Sequence, residues 1–109
     1  MENFKEYIDD LRTNTDTQLD VELESLNRVI TENLTEQKEL IDWIKLYKNK
    51  ISEINELELT DKQVIDSLEA YANNISEDIK SLETNLKRRR KFDFKKLAVI
   101  QEQNRREDK

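Results

Sequence analysis

Apolar residues keep to a helical rhythm over most of this chain. From Ile65 they run through Leu68, Ala72, Ile75, Ile79 and Leu82 to Leu86, in steps that alternate between three and four. That spacing stacks them along one stripe of an α-helix, and over three heptads it predicts a coiled-coil seam. Upstream, Leu19, Leu23, Leu26, Ile30, Leu34, Ile41, Ile44, Tyr47, Ile51 and Ile54 mark a second seam. Its consecutive steps of four at Leu26, Ile30 and Leu34 form a stutter, which locally relaxes a left-handed supercoil. Gln37 stands in the gap between Leu34 and Ile41, a polar interruption of the kind that fixes register.

Between the seams lies the clearest local signal, Leu59-Thr60-Asp61-Lys62-Gln63-Val64. Thr60 is placed to cap a helix starting at Asp61, with Gln63 closing the capping box and Leu59 and Val64 forming a hydrophobic staple. Asp61 also puts a negative charge on the first turn, where the helix dipole favours it. Two long helices joined by a short turn must run antiparallel. Folding about residues 58–60 makes facing positions sum to about 119, which sets Ile54 on Ile65, Ile51 on Leu68, Tyr47 on Ala72 and Ile44 on Ile75. A third piece precedes the hairpin. Phe4, Tyr7, Ile8 and Leu11 share one face of a short helix, the linker Thr13 to Thr17 is polar, and Thr17 with Asp20 offers a second capping box.

The pattern therefore predicts an all-α fold, a long antiparallel helical hairpin of coiled-coil type. The short N-terminal helix is expected to pack at the hairpin's open end. Residues 1–109 read as one elongated unit: a short helix over 2–12, long helices over 17–58 and 61–104, and a frayed tail over 105–109. At 1.5 Å per residue each long helix would reach about 60 Å.

Composition agrees with few turns and long elements. The chain has no Gly and no Pro, so nothing supplies an easy left-handed turn or a rigid kink. Charged residues make up 40% against 35% hydrophobic, which suits narrow seams between charge-covered helices better than a broad core. High charge also describes disordered chains, but these seldom keep Ile, Leu and Val at helical spacing.

Charge is segregated beneath a net of −6. Residues 1–25 carry a net of −6 and residues 26–86 another −6, whereas residues 87–109 carry +6. The basic segment holds Lys87, Arg88, Arg89, Arg90 and Lys91, then Lys95 and Lys96, then Arg105 and Arg106. One reading is a phosphate-binding stretch for nucleic acid, with Phe92 and Phe94 stacking on bases. A second is an acidic protein partner. A third is internal, because the hairpin brings Lys95 and Lys96 toward Glu22 and Glu24, and Arg88 to Arg90 toward Glu32.

The seam from Ile65 to Leu86 also degrades in this segment. Its next positions fall on Arg89 or Arg90 and then Asp93, and apolar character returns at Leu97 and Ile100. Either the helix breaks near Lys91–Asp93 or its last part faces something else. The dense stretch Phe92, Phe94, Leu97, Ala98, Val99 and Ile100 either packs on the N-terminal helix or is an exposed patch. Trp43 neighbours seam positions Ile41 and Ile44 without occupying one. It is either a flank residue half-covered by Tyr47 or a binding hot spot.

Chemistry is sparse. With no His and no Cys there is no imidazole base, thiol nucleophile or thiolate metal site, and pairs such as Glu32 with Glu36 are expected by chance on so acidic a surface. No apolar run reaches the ~20 residues that span a bilayer, and the first residues lack the pattern expected of a signal peptide. The sequence thus predicts a non-catalytic helical interaction protein that binds a protein partner stoichiometrically, as adaptor, assembly factor or inhibitor. It would work in a cytoplasm (a host's, if phage-encoded), without cofactor, metal, membrane or small-molecule substrate. The expected state is a homodimer or higher oligomer. The candidate partner-binding residues are Trp43, Phe92, Phe94, Leu97 and Ile100. Nucleic-acid binding through the basic segment is the alternative, and a virion structural or scaffolding role a third.

Overall fold

A computed structural model describes residues 4–107, of Asn55 the backbone only. The fold is all-α, a long antiparallel hairpin with a short helix at its open end. Helix α1 spans Phe4–Thr13, α2 spans Asp16–Glu53 and α3 spans Asp61–Glu107, with a 3₁₀ turn at Ile54–Glu56 between the long helices. No described helix is long and apolar enough to cross a membrane.

Side-chain caps set the helix starts. At α3 the capping box is in place: Gln63 N–H donates to Thr60 Oγ1 at 3.2 Å, and Thr60 N–H donates to Gln63 Oε1 at 3.0 Å. At α2 the same device sits two residues earlier than the sequence reading put it. The pair is Thr15 with Gln18, at 2.8 and 3.1 Å, in place of Thr17 with Asp20. Glutamine reaches back to the capping N–H as its amide oxygen accepts, so Thr15 gains both halves of the box. Helix α2 ends at Glu53, short of residue 58. The chain tightens into the 3₁₀ turn and then extends at Leu57, with φ −96° and ψ 141°. Helix α3 neither breaks near Lys91–Asp93 nor frays after residue 104, but continues to Glu107. Residues 2 and 3 of the expected short helix, and 108 and 109 of the expected tail, lie outside the described residues.

Where one elongated unit was expected, the packing gathers in two. The first holds α1, α2 as far as Leu34 and α3 from Lys87; the second holds Thr35–Leu86. In the first, Leu11, Leu19, Leu26, Ala98 and Val99 form a buried core, flanked by Tyr7, Ile8, Leu23, Val29 and Phe92. Leu19 and Val99 are 0% exposed. Three helices meet there, so an apolar stripe on each finds cover from two sides.

The second unit is a helix pair alone. Among its described residues Ile54 is the one buried apolar side chain. Its register departs from the expected one. Tyr47 stands against Tyr71, ring centroids 6.1 Å apart, and not against Ala72. That contact puts facing positions near a sum of 118. One residue is 100° around a helix, so the slip turns part of the clean heptad away from α2 while Ile75, Leu82 and Leu86 stay half-buried. Ile65, Leu68, Ala72 and Ile79 are exposed, while Val64, Ser67, Tyr71, Asn74 and Asp78 are half-buried. The connection from Ile54 to Thr60 is seven residues, longer than the short turn expected, and it goes with a different facing register.

Candidate interaction surfaces

In the first unit the C-terminal part of α3 lies under α1. Phe94 sits 4.3 Å from Phe4, centroid to centroid, and Phe92 packs against the core. Ile100 is half-buried and Leu97 is exposed. The apolar stretch 92–100 is thus mainly covered by α1 and α2 together, leaving Leu97 exposed and Phe94 partly open to solvent.

The basic residues divide in the same way. Lys95 Nζ lies 5.2 Å above the ring of Tyr7, whose hydroxyl donates to Glu22 Oε1 at 2.8 Å. Tyr7 of α1 thus stands between the lysine of α3 and the carboxylate of α2 that the hairpin register would have paired. Arg89 is half-buried and lies 4.0 Å from Asp93 along its own helix. Lys96 is half-buried, whereas Lys87, Arg88, Arg90 and Lys91 are exposed.

The strongest polar cluster was not foreseen. Glu102, 7% exposed, accepts a fork from Arg105: Nε to Oε2 at 2.8 Å and Nη2 to Oε1 at 2.6 Å. Arg106 Nε adds a third bond at 3.1 Å. These donors, Arg105 first, hold the Glu102 carboxyl at about 2, well below its ordinary 4.5, although burial pushes it upward. Arg106 also bonds Asp16 Oδ1 through Nη1 at 2.8 Å, and that bond raises its own pKa first. Its Nη2 reaches the carbonyls of Asn14 at 2.6 Å and Leu11 at 3.1 Å. One guanidinium therefore closes the α1–α2 turn, joining Leu11 O, which also accepts from Asn14 N–H, to Asn14 O and Asp16. The sequence signal was available: Glu102 with Arg105 and Arg106 has the i, i+3 and i, i+4 spacing of helical ion pairs.

In the second unit Trp43 stands on the outer side of α2, 51% exposed, with Leu46 beside it at 42%. Tyr47 stacks under the indole at 5.9 Å and 25°. Glu39, Asp42, Trp43 and Leu46 line a shallow concavity. Leu46 was missed because it follows no seam, and its place beside Trp43 comes only from the i, i+3 spacing. Among the described residues no group of three or more His, Cys, Asp or Glu is placed to hold a metal ion.

No family model, curated protein or solved structure matches this chain. Its surfaces must be read from their own chemistry. One is apolar with an acidic rim, around Trp43. One is the cationic strip Lys87–Lys91. One is the outward heptad of α3.

Proposed function

We propose that this chain is a small non-catalytic interaction protein that binds a protein partner stoichiometrically through the Trp43–Leu46 surface, as adaptor, assembly factor or inhibitor. The carrying observation is the exposed indole held in place by Tyr47. A fixed aromatic loses little freedom on binding, and Trp is the residue type most enriched among binding hot spots. Glu39 and Asp42 at the rim favour a partner with an apolar anchor beside basic groups. The reading includes work in a cytoplasm, a host's if the gene is phage-encoded. A non-catalytic role is supported by the absence of His and Cys, and by the commitment of the most perturbed carboxyl, Glu102, to two arginines.

The test is affinity capture from the native host with wild type and a Trp43→Ala/Leu46→Ala variant, both checked for helicity. The expected result is one protein retained in molar proportion by wild type and lost by the variant. Equal retention by both would overturn the reading.

A nucleic-acid role has one observation in its favour, the exposure of Lys87, Arg88, Arg90 and Lys91. Phe92 and Phe94 are engaged with the core and with Phe4, so stacking on bases has less support than phosphate contact. This reading requires a salt-sensitive shift of DNA or RNA that Arg88→Glu/Arg90→Glu abolishes.

A further inference from the structure

The heptad from Ile65 to Leu86 has the spacing of a coiled-coil seam, yet α2 covers it only in part, leaving Ile65, Leu68, Ala72 and Ile79 exposed and Ile75, Leu82 and Leu86 half-buried. Ile65 and Ile79 are 54% and 43% exposed. Taking Tyr71 as the direction of α2, Ile75, Leu68 and Ile79 lie about 40°, 60° and 80° further round α3 in one sense. On α2, with the direction of α3 set midway between Ile44 and Tyr47, Lys48 and Lys45 lie about 70° and 130° round in that same sense. Trp43 lies about 70° the other way. In an antiparallel pair, rotations of the same sense emerge on the same face. The outward heptad therefore shares a face with Lys45 and Lys48, and the Trp43 surface lies on the opposite one.

This face has three zones. Its centre is apolar: Leu68, Ile75 and Ile79, with Ile41 from α2. Its α2 side is basic, with Lys38 and Lys45 at the edge and Lys48 nearer the centre, all exposed. Its α3 edge carries Glu69 and Glu83, both exposed, with the exposed Lys80 about 20° further round than Glu69. A seven-residue repeat is matched by another helix carrying such a repeat, and a face with lysines on one side and these glutamates on the other is complementary to itself turned over.

We infer that a second copy of this chain docks on this face, with α2 of each copy laid against α3 of the other. A two-fold axis parallel to the helices brings each basic side onto the other copy's Glu69 and Glu83. With Tyr47 level with Tyr71, Lys48 comes within one residue of the level of Glu69 in the other copy, about 1.5 Å along the axis. Lys38 comes within three residues of Glu83, about 4.5 Å. The other two-fold arrangement, α3 on α3, sets Glu69 against Glu83 and the lysines against lysines. Like charges facing each other oppose it. The four helices would enclose the stripe that one copy leaves open, in the manner of a four-helix bundle. This pairing uses neither Trp43 nor Leu46 and stands apart from the partner-binding proposal.

Sedimentation equilibrium of the full chain at tens of micromolar tests it. Wild type is expected at twice the 13.1 kDa chain mass. Ile79→Glu is expected at the chain mass with helicity retained by circular dichroism, and Trp43→Ala at the dimer mass. Lys38→Glu/Lys48→Glu should weaken the dimer by about tenfold, the sum of a few exposed ion pairs, and adding Glu69→Lys/Glu83→Lys should restore it. A wild-type monomer at 100 µM would overturn the inference, as would a dimer indifferent to Ile79→Glu or one dissociated by Trp43→Ala. Failure of the charge reversals to rescue each other would overturn the pairing of α2 on α3. A Trp43→Ala chain that stays dimeric but loses its partner supports both proposals separately.

Discussion

The two units are made of the same helices and hold together differently. In the first, α1 joins α2 and α3, and five apolar side chains are buried as one core. In the second only two helices meet, Ile54 alone among the described apolar residues is buried, and Ser67, Asn74 and Asp78 lie in the α3 seam. A helix pair shields one stripe on each member, so any broader apolar arc stays open. The lesson is that the better heptad in the sequence marks the weaker intramolecular packing. Seam quality and burial come apart where a second surface is waiting for cover.

The largest effects should come from the first core. Leu19→Ala removes a fully buried side chain and should cost about 3 kcal/mol in denaturant unfolding. Leu68→Ala, on the exposed face of the second unit, should cost under about 1 kcal/mol in the monomeric Ile79→Glu background. Comparable losses at the two sites would break the contrast between the units.

A middle-sized effect belongs to the polar knot that closes the first unit. Glu102→Gln should destabilise by about 2 kcal/mol at neutral pH, since hydrogen bonds to a charged acceptor are lost. The pH sign follows from a carboxyl held below its ordinary value. Its stabilisation is complete above about 4.5 and is lost as pH falls toward about 2. Thermal melts should therefore show wild type and Glu102→Gln converging as pH falls through that window. A gap that stays constant would mean that the Glu102 charge does not hold the knot.

The helical class, the antiparallel hairpin and the start of α3 were legible because they rest on local signals. Heptad spacing, absent Gly and Pro, and the Thr60–Gln63 box all act within a few residues. The facing register was not legible. It goes with the path from Ile54 to Thr60, and one residue of slip moves Leu68 from seam to surface. Arg106 was read as part of a basic run. Its bonds to Asn14 and Asp16 join residues more than 85 apart, which no local spacing encodes. Trp43 was singled out from its off-seam position, whereas Leu46 became visible only beside it. Asn33 and Asn85 are the buried amides, while Gln37, the expected polar interruption, is only half-buried.

Hydrogen exchange at two protein concentrations addresses the contrast most directly. At low concentration, amides of residues 4–34 and 87–107 are expected to exchange slowly and those of 61–86 quickly. On raising the concentration a hundredfold, protection should rise over 61–86 and stay unchanged in the first unit. Equal protection of both units when dilute, with no response to concentration, would contradict the account.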